Sequence, residues 1–101
     1  MKADLERSKV SIIIPTYNSG QTLAECLKSV YDQTYLFYEV IIIDNFSSDD
    51  TLKVAKDFGV RIIQQKSNPA SARNIGIASS IGRCILFLDS DQVLSPQVVE
   101  E

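Results

Sequence analysis

The 101-residue sequence contains no histidine and only two cysteines. The absence of histidine excludes Ser-His-Asp and Cys-His nucleophile arrangements and all histidine metal sites, so any metal chemistry must rest on carboxylates. Cys26 and Cys84 lie far apart in sequence and form no CxxC pair. This favours reduced thiols in a cytosolic protein over a disulfide.

Features of several other function classes are also missing. No apolar run approaches the ~18 residues that span a bilayer and no signal peptide precedes the first strand, which predicts a cytoplasmic protein, free or peripheral to a membrane. The net charge is −3 and there is no basic stripe, which argues against a nucleic-acid partner. No GxGxxG loop or P-loop lysine follows the first apolar run, which argues against dinucleotide and P-loop functions.

Four apolar runs alternate with segments of helical pattern. The predicted strands are residues 10–14, 39–44, 60–64 and 84–88, and the predicted helices begin near residues 22, 51 and 70. The alternation predicts an α/β fold of three layers, α/β/α, with a mostly parallel, Rossmann-like sheet in the order 3-2-1-4. The third strand is polar enough for an edge, whereas the fourth is apolar enough to be buried on both faces. Residues 1–9 are predicted to be a flexible arm, and Ser95-Pro96 predicts the start of another helix.

Turn and cap residues punctuate these elements. Thr22 with Glu25 resembles a capping box, and Ser47 or Ser48 is expected to cap the second helix. Gly59 is expected to end that helix in the left-handed conformation.

Two aspartates, Asp89 and Asp91, follow the fourth strand directly. In the predicted strand order they share a crevice with residues 16–18, and Asp44 lies one strand away. Two charges this close repel unless a cation lies beside them, and carboxylate oxygens suit Mg²⁺ or Mn²⁺ with substrate phosphates completing the shell. The alternative is that both aspartates only cap the loop before Ser95.

Two rival motifs share these aspartates. An EF-hand loop starting at Asp89 would place Val93 and Leu94 where a ligand and an obligatory glycine belong, so that motif fails. The segment also resembles the nucleophile motif of haloacid-dehalogenase-type phosphatases. Those enzymes need a long catalytic domain after the motif, and only ten residues follow Asp91 here.

Other candidate site residues have two interpretations each. Asp44 either caps its loop or hydrogen-bonds a heterocyclic base or ribose. Arg73 is either a solvated surface charge or is aimed at the ligand, and Tyr17 either stacks on a base or fills the groove. Gly76 predicts close packing beside Arg73, because a mid-helix glycine costs about 1 kcal/mol relative to alanine.

Four patches in order resemble the amino-terminal half of the family 2 inverting glycosyltransferases of GT-A fold. These patches are residues 10–18 (VSIIIPTYN), 39–51 (EVIIIDNFSSDDT), 68–76 (Asn68 through ARNIG) and 88–91 (LDSD). The resemblance implies binding of a UDP- or GDP-linked sugar with Mg²⁺ or Mn²⁺, and transfer of the sugar to an acceptor hydroxyl with inversion. Residues 10–101 would be the nucleotide-sugar-binding part of such a domain.

The resemblance also implies residue roles. Pro15, Thr16 and Asn18 would line the nucleotide pocket together with Tyr17, and Asp44 would contact the base. Arg73 would lie beside the nucleotide, Asp89 near the ribose and the metal, and Asp91 on the metal.

Asn45 and Phe46 depart from the family, which often has a second aspartate and a glycine there. The family's general base and acceptor site belong to a carboxyl-terminal half that this chain lacks, so no catalytic base is assigned. The alternative function is a non-enzymatic nucleotide-sugar and metal-binding module. The missing half predicts exposed apolar surface and self-association as a homo-oligomer.

Overall fold

A computed structural model describes residues 10–32, 38–66, 68–80 and 84–93, which form four strands and three helices. In chain order these are β1 (Val10–Thr16), α1 (Leu23–Tyr31), β2 (Tyr38–Asp44), α2 (Thr51–Asp57), β3 (Arg61–Gln64), α3 (Pro69–Ser79) and β4 (Cys84–Phe87). The predicted arm at residues 1–9 and the predicted helix at Ser95 lie outside the described residues.

The four strands form one parallel sheet in the order β3-β2-β1-β4, as predicted. Strand β1 lies between β2 and β4, with Ile13 opposite both Ile41 and Phe87. The winding therefore reverses between β1 and β4, and their carboxyl ends border the same crevice.

Alternate residues of β1 face opposite sides of the sheet, because side chains of a strand alternate. Ile12 and Ile14 belong to a buried cluster with Leu23 of α1 and Ala55 of α2. Ile13 belongs to a second cluster that includes Ala72 of α3. The predicted α/β/α layering is confirmed.

Strand β1 continues two residues beyond its predicted end, through Pro15 and Thr16. The Thr16 carbonyl accepts from the Asn45 amide on the β2 side, whereas the Ile13 carbonyl accepts from the Leu88 amide on the β4 side. Because backbone groups alternate along a strand, Pro15 faces the β4 side, where the ladder has ended at Ile13. Its missing N–H therefore costs no ladder hydrogen bond.

The helix starts differ from the predicted caps. Thr22 makes no side-chain cap bond, so the capping-box prediction is wrong; the Ser19 carbonyl instead accepts from the amides of Thr22 and Leu23. At α2 the Asp49 carboxylate accepts from the Thr51 amide at 3.0 Å. That carboxylate is closer to the first turn than either predicted serine, so the predicted cap at Ser47 or Ser48 is also wrong.

Both glycine predictions are confirmed. Gly59 follows α2 with φ of +70°, the left-handed conformation that ends a helix. A Cβ on Gly76 would lie 2.5 Å from Cγ2 of Ile13, so α3 packs on β1 at a distance that only glycine allows.

Strand β4 is not buried on both faces as predicted. Cys84 is exposed and Phe87 is 37% exposed. Within the described part of the chain β4 has a neighbouring strand on one side only, and this position explains its partial burial. Strand β3 is the other edge, as predicted. No described helix is both long and apolar enough to cross a bilayer.

Candidate functional site

A cavity of about 560 Å³ opens at the carboxyl edge of the sheet. Its wall comes from the ends of β1 and β2, the loop after β1, the start of α3 and the loop after β4. The lining residues are Pro15, Thr16, Tyr17, Asn18, Ser19, Thr22, Ile43, Asn45, Asn68, Ala72, Arg73, Asp89, Ser90 and Asp91. Four distant parts of the chain thus meet at the predicted switch point.

Seven of the eight predicted site residues line this cavity. They are Pro15, Thr16, Tyr17, Asn18, Arg73, Asp89 and Asp91. Asp44 is the exception, because its side chain is 0% exposed and lies outside the cavity wall. Of its two interpretations, the one in which Asp44 caps its own loop matches the structure, and contact with a base stays a prediction.

The carboxylate of Asp44 is instead held by its own surroundings. The Thr16 hydroxyl donates to Oδ1 at 2.6 Å, the Ser47 hydroxyl to Oδ1 at 2.6 Å and the Ser47 amide to Oδ2 at 2.9 Å. Gln64 Nε2 donates to Oδ2 at 3.4 Å. Burial by itself raises the pKa of Asp44, but the hydrogen bonds from Ser47, Thr16 and Gln64 outweigh it and lower the pKa below its usual value.

The loops after β1 and β2 clasp each other, and we call the segments 17–22 and 45–50 together the rim. The Asn18 amide donates to the Ser47 hydroxyl at 2.8 Å, and the Ser48 amide donates to Asn18 Oδ1 at 2.8 Å. Asn18 has φ of 49°, a left-handed conformation that asparagine tolerates well. Sequence reasoning found Asn18 as a lining residue but missed its role as a clasp. The sequence signal for this role was the run of short polar side chains in the two loops, because such side chains often hydrogen-bond to nearby backbone groups in turns.

A second set of bonds fixes the rim to the start of α2. The Gly20 amide donates to Asp49 Oδ2 at 3.0 Å, and the Ser19 amide donates to the Thr51 hydroxyl at 2.8 Å. The Thr51 hydroxyl in turn donates to Asp49 Oδ1. The hydrogen bond from Thr51 lowers the pKa of Asp49 more than its slight desolvation raises it. The rim is therefore shaped before any ligand arrives.

Phe46 is an unusual part of the rim. Its φ of 54° lies in the left-handed region, and its ring is 56% exposed. A bulky residue in that region carries strain of order 1–2 kcal/mol. Phe46 occupies the position where the resembling family often has glycine, a residue without this strain.

The loop after β4 carries the two predicted metal carboxylates, and we call residues 89–91 the acidic loop. Asp89 and Asp91 are both exposed, and both line the cavity. The Gln92 side chain accepts from the Asp89 amide at 2.8 Å, and the Ser90 hydroxyl donates to the Ser19 hydroxyl at 2.8 Å. The acidic loop is held through its backbone and Ser90, so its carboxylates are left facing the cavity.

The donor set decides what cation would fit. Among the described residues no three His, Cys, Asp or Glu side chains converge as a metal site. Mg²⁺ is usually bound by one or two carboxylates, with waters and substrate phosphates completing its shell. Asp89 and Asp91 fit a cation that is shared with a phosphorylated ligand.

Arg73 also lines the cavity, near the start of α3. Its guanidinium carbon lies 5.6 Å from the ring centroid of Phe87, a cation–π distance that orients the side chain. Asn68 caps the same helix by accepting from the Ser71 amide at 2.8 Å. Arg73 is exposed and can donate several hydrogen bonds to phosphate oxygens.

The fold and the site together define a doubly wound α/β domain with a polar cavity at its switch point, bordered by two free carboxylates and an arginine. Comparison with known proteins agrees with the resemblance seen in the sequence. The model of the family described as glycosyl transferase family 2 matches residues 11–101. The chain belongs to that family, and it has the GT-A fold.

Individual relatives cover most of this chain. The poly(ribitol-phosphate) β-N-acetylglucosaminyltransferase TarP of Staphylococcus aureus is 41% identical over 102 residues, which is 92% of this chain and 31% of TarP. The structure of S. aureus TarS in complex with UDP-GlcNAc has a TM-score of 0.86 and 30% identity, and the match covers 91% of this chain and 29% of that one.

A mannosyltransferase from Pyrobaculum calidifontis, solved with GDP-Man and Mn²⁺, has a TM-score of 0.79. At 24% identity, over 86% of this chain and 28% of that one, it supports the fold alone. The chain spans about a third or less of the curated relatives it matches.

Proposed function

We propose that this chain binds a nucleoside diphosphate sugar through a divalent cation, and that it forms the donor-binding part of an inverting glycosyltransferase. One observation carries the proposal: seven predicted residues from separate parts of the chain line a single cavity, which the acidic loop and Arg73 both border. A pyrophosphate is strongly negative, and a cation on the acidic loop together with the guanidinium would offset its charge.

The nucleoside and the diphosphate would contact different parts of the cavity wall. Tyr17 lines the cavity and is 62% exposed, so an aromatic face is available to a base. The diphosphate would lie towards Asp89 and Asp91. Asp44 has a positioning role in this proposal, since its carboxylate fixes Thr16 and Ser47 behind the wall.

Asp91, and with it Asp89, would hold Mg²⁺ or Mn²⁺. When bound there, the cation supplies Lewis-acid stabilisation of the diphosphate leaving group. Arg73 would donate to the same phosphate oxygens, and Tyr17 and Asn18 would orient the nucleoside. No residue of this chain is assigned as the catalytic base or to a site for the sugar acceptor.

Calorimetric titration with UDP and GDP, with and without Mn²⁺, tests the proposal. We expect one of the two nucleotides to bind and Mn²⁺ to increase its affinity. In Asp91→Asn the affinity at saturating Mn²⁺ should fall at least about tenfold, a loss of about 1.4 kcal/mol. Asp57→Asn is the matched control, because Asp57 is exposed on α2, does not line the cavity and pairs with Lys53 at 3.8 Å.

Failure of the wild-type chain to bind either nucleotide with metal present would reject the proposal. Equal affinities in wild type and Asp91→Asn would reject the metal site.

A non-enzymatic binding module is the second candidate. Among the described residues, the acidic ones that line the cavity are Asp89 and Asp91, and both are assigned to the donor, so this part of the chain offers no separate general base. Metal-dependent binding without donor hydrolysis or sugar transfer would favour the module. Self-association stays a prediction for either function, and sedimentation velocity measures it.

A further inference from the structure

The Ser19 side chain lies where the rim meets the acidic loop. It is buried, yet its hydroxyl takes part in three hydrogen bonds. It accepts from the Ser90 hydroxyl at 2.8 Å and from the Tyr17 amide at 3.3 Å, and it donates to the Tyr17 carbonyl at 3.4 Å. All the hydrogen-bonding capacity of this hydroxyl is therefore used between Ser90 and the Tyr17 backbone.

The backbone of Ser19 is anchored independently. Its amide donates to the Thr51 hydroxyl at 2.8 Å, and its carbonyl accepts hydrogen bonds from the Thr22 and Leu23 amides at the start of α1. The backbone of Ser19 is therefore held in place. A displacement of Ser90 acts on the Ser19 hydroxyl, and through that hydroxyl on the Tyr17 backbone, more readily than on the rest of the fold.

The two residues that Ser19 joins, Ser90 and Tyr17, have different proposed roles in the cavity. Ser90 lies between Asp89 and Asp91, in the part of the wall proposed for the cation. Tyr17 carries the exposed aromatic ring in the part proposed for the base. A second contact holds the acidic loop to α1, since Cys26 Sγ lies 3.7 Å from the Asp89 carbonyl oxygen and donates to it.

We propose that Ser19 is a positioning residue, and that its hydroxyl couples cation binding at the acidic loop to nucleoside binding at Tyr17. This inference rests on the proposed function. A cation that fixes Asp91 also fixes Ser90, and through Ser19 it holds the Tyr17 backbone in the geometry that receives a base. By linkage, a bound nucleoside raises cation affinity by the same factor.

A nucleoside without phosphate separates this coupling from direct contact. The cation would bridge the phosphates of UDP or GDP whatever Ser19 does, but it cannot touch the phosphates of uridine or guanosine because there are none. We therefore measure by calorimetry the affinity for uridine and guanosine as Mn²⁺ is raised until the affinity no longer changes. The proteins are wild type, Ser19→Ala, Ser90→Ala and the double variant.

In wild type we expect Mn²⁺ to increase affinity for the preferred nucleoside about fivefold, within the usual range of coupling. Each single variant should reduce the increase to less than about twofold, and the double variant should reduce it no further, because both changes remove one shared bond. Ser90→Ala removes that bond from the more exposed partner, so it tests the inference even if Ser19→Ala folds poorly. Ser80→Ala is the control, because the Ser80 hydroxyl donates to the Ile77 carbonyl at the end of α3 and Ser80 does not line the cavity.

The outcomes separate the two proposals. Mn²⁺ enhancement of UDP or GDP affinity without enhancement of nucleoside affinity would overturn the coupling and leave the proposed function intact. Enhancement that survives in Ser90→Ala would overturn it as well. If nucleosides bind too weakly to measure, the same cycle is run with UDP or GDP and the Mn²⁺ enhancement of each variant is compared with that of wild type. We expect it to be at least about twofold smaller in both single variants, and equal enhancement in all three proteins would overturn the coupling. A wild-type chain that binds no nucleotide with metal would reject both proposals.

Discussion

The rim and the acidic loop are built in opposite ways, although both border one cavity. The rim rests on a buried carboxylate, Asp44 at the end of β2, which accepts hydrogen bonds from Thr16, Ser47 and Gln64. In the acidic loop the carboxylates of Asp89 and Asp91 are exposed and line the cavity. A charge that is satisfied inside the protein stabilises the fold, whereas a charge left facing a cavity is available to a ligand. The difference separates the part of the site that is formed in advance from the part that a ligand completes.

The largest expected difference in stability comes from removing one aspartate from each region. Asp44→Ala should lower the free energy of unfolding by about 3 kcal/mol, because it leaves several buried donors without an acceptor. Asp91→Ala should change it by less than about 0.5 kcal/mol, since an exposed side chain with no structural partner is lost. Denaturant unfolding of both variants measures the difference. Equal losses would contradict the distinction between the two regions.

Acid should destabilise the rim through Asp44. Its pKa in the folded protein is lowered from the ordinary value of 3.8, so its stabilisation is fully present above that value. The contribution is lost as pH falls through the folded-state pKa. In Asp44→Asn the free energy of unfolding should therefore fall less steeply on acidification than in wild type. Parallel acid limbs in the two proteins, measured by denaturant unfolding at a series of pH values, would show that Asp44 has no such role.

Two opposite substitutions test the cost of the left-handed backbone conformation, one in the rim and one after α2. Phe46→Gly should raise the free energy of unfolding by up to about 1 kcal/mol, because glycine adopts a φ of 54° without steric cost. Gly59→Ala should lower it by about 1 kcal/mol, since φ is +70° there and no atom lies within 4 Å to clash with a new Cβ. Thermal unfolding of the pair compares the same backbone effect with opposite sign. A loss of stability in Phe46→Gly would mean that the ring makes contacts worth more than its strain.

The smallest expected effect concerns opening of the acidic loop. Cys26 is buried beneath that loop, and burial, together with the charges of Asp91 and Asp89, raises the pKa of its thiol to about 11. At pH 8 roughly one thiol in a thousand would be ionised, whereas the exposed Cys84 should react with a thiol reagent readily. Cys26 should therefore react with the reagent much more slowly than Cys84. Equal labelling rates for the two cysteines would contradict the closed loop.

The strand order and the position of the cavity were predictable because they depend on patterns that are local. Apolar runs that each end in a polar residue define parallel strands, and Gly76 marked the close contact with Ile13. Loop capping by Asp44 was one of its two predicted interpretations. Its complete burial and the bond from Thr16 were not predictable, since they depend on how β1 packs beside β2. The partial burial of β4 was not predicted, because the sequence of the strand shows that it is apolar but not which elements pack against it.

Among the site residues, types and positions were easier to predict than roles. Asp91 and Arg73 follow from strand ends and helix starts, so their place in the cavity was expected. The clasp of Asn18 with Ser47 and Ser48, and the link from Ser19 to Ser90, join loops distant in sequence. Such bonds are fixed by the packing of the whole domain, which no short segment specifies.

The most direct test of the central claim is a crystal structure of this protein with Mn²⁺ and the nucleoside diphosphate it prefers, with the metal located by its anomalous scattering. We predict the cation bonded to a carboxylate oxygen of Asp91 and to phosphate oxygens, with the base beside Tyr17. A nucleotide bound outside the cavity between β1 and β4, or bound inside it with the cation away from Asp91, would contradict the account.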